Sequence, residues 1–153
     1  THGLSVGDTG IMLAHSELTD LIINAFYSVY NTLGYGFAER VYHGALVVEL
    51  RNRGLSIESE KPLPVHYKGH LVGDFYADIV VNDRVILELK AAKAIGEEHR
   101  AQILNYLRAS PYEVGLILNF GPKPGFERKV FENQHKGRPA HMEGPKSPDA
   151  AQG

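Results

Sequence analysis

Apolar residues along this chain recur at two different spacings, and the change between them separates helical from extended blocks. From Ser16 onward, Leu18, Leu21, Ile22, Ala25, Val29 and Leu33 fall at i, i+3, i+4 positions, which predicts a helix with one buried face. Ser16 is its expected N-cap, and Gly34 and Gly36 its stop. A second helix is predicted over 37–53. Its apolar residues Val41, Ala45, Leu46, Val48 and Leu50 lie on more than one side, so it is expected to be largely buried, with Gly54 ending it. The pattern then shortens. Segments 57–60, 63–67, 71–81 and 84–91 read as strands of an antiparallel meander, separated by Pro62, Lys68-Gly69 and Asn82-Asp83. A third helix is expected over 97–108, with Ala101, Leu104 and Leu107 inward, followed by a continuous apolar strand over 114–120. A helix between two strands predicts a crossover that returns the last strand to the sheet. Residues 127–131 are a candidate short edge strand. The expected order is α-α-β-β-β-β-α-β, an α/β (α+β) fold with a mixed four- to five-stranded sheet flanked by helices.

The ends differ in composition. Residues 1–11 are Gly-containing and aperiodic, and the chain from Met12 reads like an ordinary protein start, so Met12 is the expected natural initiator and 1–15 a flexible segment. From Glu132 to Gly153 there is no Ile, Leu, Val or Phe, while Pro139, Pro145 and Pro148 sit among polar residues, which predicts a disordered tail. The folded domain is therefore expected at 16–131. A chain of 153 residues, 43% hydrophobic, suffices for one domain with its own core. No window reaches the roughly 18 unbroken apolar residues of a membrane span, and no signal-peptide order opens the chain, so a cytoplasmic location without a membrane partner is expected.

The candidate chemistry lies at Asp78, Glu88 and Lys90. An acidic pair can hold a divalent cation while an ammonium faces a phosphate, the requirement of metal-dependent phosphodiester hydrolysis. The chain has no cysteine, so any metal must be held by oxygen or histidine ligands, and carboxylates favour Mg²⁺ or Mn²⁺. In the strand 84–91, Glu88 and Lys90 point the same way, about 6.6 Å apart. A two-residue turn at Asn82-Asp83 would set Asp78 opposite Leu87, on the wrong face for Glu88; a shared site therefore demands an odd-length loop or a bulge. The competing reading is a solvated hairpin with a weak ion pair. Against it, Glu88 follows Val85-Ile86-Leu87 in a strand apolar on both faces, where charges need a reason to be kept.

Gln102 and Tyr106 lie four apart on the third helix, with Glu98 one turn earlier on the same stripe. Glu39 stands in the first turn of the second helix, where the helix dipole alone would favour a carboxylate. The eight histidines show no metal-ligand spacing and read as surface or loop residues. No nucleophile elbow, phosphate-binding loop or dinucleotide fingerprint is present. The net charge of −2 offers nucleic acid no general attraction, so a local patch is required, with Arg100, Arg108, Lys123, Arg128 and Lys129 as candidates.

Around these residues the chain resembles the GxxExxY proteins, a family within the PD-(D/E)XK nuclease superfamily. The signature stands as Gly36-Phe37-Ala38-Glu39-Arg40-Val41-Tyr42, followed by Ala45-Leu46, Lys61-Pro62-Leu63-Pro64-Val65, Tyr76-Ala77-Asp78, Glu88-Leu89-Lys90, His99-Arg100-Ala101-Gln102 and Asn105-Tyr106-Leu107, in one order from about 17 to 131. The resemblance implies a restriction-endonuclease-like core and a metal-dependent nuclease, with DNA ahead of RNA as substrate. It implies Asp78, Glu88 and Glu39 as metal ligands and Lys90 as the catalytic lysine. Gln102 with Tyr106 is similar to the Gln-x-x-x-Tyr element of the RecB-like branch, which supports the DNA side of the site, where Arg100 and Arg108 would add phosphate contacts. Ala77 stands where many superfamily members have Pro. The alternatives are a catalytically silent nucleic-acid-binding module and a protein-interaction subunit in a homodimer or larger complex.

Overall fold

The computed structural model describes residues 15–136. Helices α1 (His15–Leu33) and α2 (Glu39–Asn52) precede a three-stranded meander, β1 (Ile57–Tyr67), β2 (His70–Val81) and β3 (Val85–Lys90). Helix α3 (Glu97–Ala109) then leads to β4 (Val114–Asn119) and β5 (Gly125–Val130). The sheet runs β1-β2-β3-β4-β5, antiparallel except for the β3–β4 pair, whose parallel register requires the crossover that α3 supplies. The α+β class and the mixed sheet are as expected.

The expected strands over 57–60 and 63–67 are one strand, so three strands precede α3 and two follow it. Pro62 was expected to break the run. β1 is an edge strand, however, and an edge tolerates Pro62 and Pro64 because no second neighbour needs their missing N–H groups. α1 begins at His15, so Ser16 lies inside its first turn rather than capping it. α2 is amphipathic rather than largely buried: Tyr42, Leu46 and Leu50 face inward while Val48 is exposed. In α3, Ile103 and Leu107 are buried and Ala101 is exposed, because the helix turns its Ile103 side to Gly115 on the sheet. The end of the domain also differs. Asn133–His135 form a 3₁₀ turn, and buried Lys136 donates from Nζ to the carbonyls of Ser110 and Tyr112. The rest of the expected tail, 137–153, and residues 1–14 of the expected flexible segment lie outside the described residues.

Two apolar layers form the core. On one side α1 and α2 pack Leu18, Ile22, Phe26, Tyr42, Leu46 and Leu50 against Ile79, Val85, Leu87 and Leu116. On the other, Leu107 of α3 and Tyr112 in the connection after it cover Val80, Ile86 and Leu63. Burying a side chain such as Leu or Phe contributes roughly 1.5–3 kcal/mol, which makes these two layers the main source of stability.

The end of β3 is pinned to the end of β4. Phe120 N–H donates to the Lys90 carbonyl (2.7 Å), and the Asn119 amide both accepts from Ala92 N–H and donates to Ala92 C=O, each at 2.9 Å. Gly121 makes this approach feasible, since a Cβ there would lie 1.8 Å from the Ala92 carbonyl oxygen. Overpacking of this kind costs about 1–3 kcal/mol. Gly121→Ala is therefore expected to lower the melting temperature by roughly 5 °C or more in calorimetry; an unchanged melt would mean that the segment after Lys90 is not held here.

Candidate active site

The turn between β2 and β3 has three residues. Val81 pairs with Val85, Val80 with Ile86 and Ile79 with Leu87, and the next position along this register sets Asp78 opposite Glu88. The odd-length loop that a shared site demanded is thus present, built from Asn82 and Asp83 in the left-handed region (φ 51° for both) followed by Arg84. The two acidic residues are also joined directly. Asp78 N–H donates to Glu88 Oε2 (3.3 Å), and Leu89 N–H donates to Asp78 Oδ2 (2.8 Å).

Asp78 lies where both strands of the β1–β2 pair exchange faces. Ile79 and Val81 pack beneath α1 and α2, whereas Phe75 and Ala77, which strict alternation would put on that same side, pack beneath α3. β1 changes in parallel: Ile57 faces the first layer and Leu63 the second. Between these residues the Glu60–Asp78 pair is missing from the ladder, although Ser59↔Ile79 and Lys61↔Ala77 hold the register around it. Glu60 there takes φ 53°. The Asp78 carbonyl, freed from the ladder, accepts instead from His43 Nε2 on α2 (3.0 Å), which also lies 3.1 Å from Ser59 Oγ.

α2 brings its first turns to the same place. Tyr42 is buried, stacks on Phe120 (centroids 4.5 Å apart), donates its hydroxyl hydrogen to the Gly34 carbonyl and accepts the Phe37 N–H. It ties down the α1–α2 connection, where Gly34 and Gly36 have φ 73° and 119°, and so fixes the start of α2 at Glu39. Glu39, Arg40, His43, Glu60, Asp78 and Leu89 line one cleft of about 270 Å³. Arg40, His43 and Glu60 were not singled out in the sequence. His43 had a signal, since it stands four residues after Glu39 and therefore on the same helix face. Glu60 had none, because only the break in the ladder turns it into the cleft.

On the α3 side, Lys90 Nζ donates to Gln102 Oε1 (3.4 Å), and Gln102 Nε2 donates to the Tyr106 hydroxyl (2.8 Å). The Tyr106 ring stacks on Phe75 (3.9 Å between centroids). Arg100 is occupied elsewhere. It grips Glu127 on β5 with two 2.8 Å bonds and Glu97 with one of 2.7 Å, joining α3 to the last strand. Arg108 lies six residues beyond Gln102, its guanidinium over the Phe131 ring at 4.9 Å. His99 caps α3, its Nδ1 accepting from Gly96 N–H (3.0 Å). The structure thus gathers Asp78, Glu88, Lys90, Gln102 and Tyr106, sets Glu39 at the rim, and leaves Arg100 and Arg108 aside.

The electrostatics mark Asp78 and Glu88 as a pair. Burial, and then the neighbouring Asp78 carboxylate, push the Glu88 carboxyl up to about 8; Asp78 N–H and Lys90 act the other way. Asp78 is raised by burial as well, against the opposing pull of the Leu89 N–H, His43 and Lys90.

A family model described as the PD-(D/E)XK nuclease superfamily matches residues 16–129. The chain belongs to this superfamily. Its members are usually nucleases, act on nucleic acid and typically use divalent metal ions. A solved structure titled "Crystal structure of SSO0001" aligns with a TM-score of 0.47 at 19% identity, over 76% of this chain and 59% of that one. This chain thus spans less than two thirds of its length. A comparison with curated proteins gives no match. Among the described residues no helix is long and apolar enough to cross a membrane.

The superfamily's metal can be tested against these residues. Glu88 is buried and Asp78 half-buried beside it; burial raises both carboxyls, the Asp78 carboxylate raises Glu88 further, Lys90 opposes this only in part, and an all-oxygen donor set suits a hard cation such as Mg²⁺ or Mn²⁺. Among the described residues, no three His, Asp or Glu side chains already form a group able to hold an ion. The fit therefore rests on the Asp78–Glu88 pair, with Glu39 an exposed carboxylate lining the same cleft as Asp78.

Proposed function

We propose that the chain is a metal-dependent nuclease that hydrolyses phosphodiester bonds in DNA, and that it is a GxxExxY protein of the RecB-like branch. The observation that carries the reading is the direct link of Asp78 to Glu88 across the strands, with Lys90 two residues on and reaching Gln102. Asp78, Glu88 and Glu39 would hold Mg²⁺ or Mn²⁺; a bound ion of this kind supplies a water of lowered pKa and neutralises phosphate charge. Lys90 places an ammonium where negative charge grows on the phosphate as water adds and the bond to the leaving oxygen breaks. Gln102 orients that ammonium: its amide nitrogen is engaged by Tyr106, so its oxygen is left to face Lys90. Tyr106 contacts a phosphate or a base of the bound strand. Arg108 lies farther along α3, within reach of an outlying phosphate.

The test is cleavage of labelled single- and double-stranded DNA and RNA in Mg²⁺, Mn²⁺ or EDTA, with Asp78→Ala as the comparison. Metal-dependent cutting of DNA, absent in EDTA and in the variant, is expected. Cutting of RNA alone would overturn the substrate, and folded protein that cuts nothing would favour a silent binding module.

A further inference from the structure

The β1–β2 hairpin outruns the sheet. Only Ile79–Val81 of β2 pair with β3, whereas β1 stays paired with β2 as far as Tyr67↔His70. Residues 61–76 therefore stand out as a two-stranded ribbon, with Val72 as the extra residue of a bulge opposite the Val65–His66 step. Tyr67, Leu71 and Val72 near its tip are all more than 60% exposed, an unusual amount of apolar surface for so short a segment.

One side of the ribbon continues the candidate active site. Lys90, Gln102 and Tyr106 are linked in series, and Tyr106 stacks on Phe75, which pairs with Leu63. Side-chain alternation along β1 sets Val65 and Tyr67 on the same side as Leu63, so Tyr67 stands about 13 Å farther out. The Lys68 ammonium lies 5.4 Å from the Tyr67 ring centroid. From Lys61 to Gly73 the sequence contains two lysines and two histidines but no acidic residue, in a chain whose net charge is −2. Lys61 is engaged by Glu58, Asp83 and Tyr112, which leaves Lys68 as the cation at the tip.

We propose that this side of the ribbon, with Tyr67, Lys68 and the Phe75–Tyr106 stack, binds single-stranded nucleic acid and leads it to Asp78 and Glu88. Aromatic faces beside a cation suit an unpaired strand, because stacking needs an open base face, while the cation meets the phosphates. Pairing with a strand of a second copy is disfavoured at the open edge of β1, where Pro62 and Pro64 lack N–H groups. The inference rests on the nuclease reading for its direction toward the carboxylates, and on the ribbon's own surface for its ligand.

The test uses the full chain in EDTA at about 0.1 M NaCl, where metal-dependent cleavage is suppressed and phosphate contacts remain readable. A fluorescein-labelled oligothymidylate of about twelve nucleotides and a duplex of equal length are titrated by anisotropy, against wild type and Tyr67→Ala/Lys68→Ala. The double variant is expected to bind the oligothymidylate about tenfold or more weakly, with little change toward the duplex and an unaltered melting curve. In Mg²⁺, the same variant is expected to raise KM on single strands and leave kcat unchanged. Equal affinity in wild type and variant, preference for the duplex, or a dimer dissociated by Leu71→Asp would each overturn the ribbon's role. Ribbon-dependent binding in a protein that cuts nothing would uphold the ribbon and overturn the nuclease reading. Cleavage with an unchanged KM would do the reverse.

Discussion

Lys90→Ala is expected to lower cleavage on the order of 10²- to 10³-fold and to leave the melting temperature nearly unchanged. Both halves follow from the surroundings of Lys90. Its side chain is only half-buried and its hydrogen bond to Gln102 is long, at 3.4 Å, so truncation removes little packing and no strong contact. The Lys90 backbone carbonyl, which anchors the strand end to Phe120, is untouched by the change. What disappears is the ammonium beside the two carboxylates, which acts on both of them through its charge. Single-turnover cleavage at saturating Mg²⁺, paired with a thermal melt, reads both effects. Activity within about tenfold of wild type would remove Lys90 from the chemistry.

Glu88→Gln is expected to stabilise the metal-free protein above pH 8 while eliminating cleavage. The Glu88 carboxyl is raised from 4.5 to about 8 in the fold, chiefly by burial. Below the unfolded value both states carry the proton and no penalty exists. Between the two values unfolding releases a proton, so metal-free stability falls by about 1.4 kcal/mol per pH unit at most, and above about 8 the penalty is complete. The summed effect is at most on the order of 5 kcal/mol. Glutamine keeps an oxygen for the Asp78 N–H and carries no charge to bury, so its melting curve in EDTA should be nearly flat over that window. Added Mg²⁺ should raise the wild-type melting temperature at pH 8 far more than that of the variant, by binding the folded state alone. A wild-type melt in EDTA that does not change between pH 5 and 8 would sink this account.

Much of the candidate site was legible because its residues lie on regular elements. Alternation alone put Glu88 and Lys90 on one face of β3, and helical spacing put Gln102 and Tyr106 on one side of α3. The apolar run over 114–120 identified the strand that is β4, whose six residues are all buried. Legibility ended where one element's conformation depends on another. Pro62 and Pro64 look like breaks until β1 is known to be an edge strand. The exchange of faces at Glu60 and Asp78 involves two strands at once, and no pattern within either strand announces it. His43 is fixed by a carbonyl 35 positions away, and Arg100 by a carboxylate 27 positions away, so the first was overlooked and the second read as available for phosphate.

The Asn82–Arg84 turn constrains how this sequence can drift. Its conformation is tied down on two sides: Asn82 exchanges hydrogen bonds of 2.8 Å with the Ser56 backbone, and the Tyr112 hydroxyl donates to Asp83 Oδ1 (2.6 Å). Side-chain direction along β3 has a period of two, so inserting or deleting one residue would move Glu88 and Lys90 together to the α1–α2 layer and turn Leu87 and Leu89 toward the α3 side. No intermediate register exists through which such a change could pass gradually. Substitutions in the turn can accumulate one at a time, but its length is inherited whole, and descendants that keep the acidic pair must keep an odd count between Val81 and Val85.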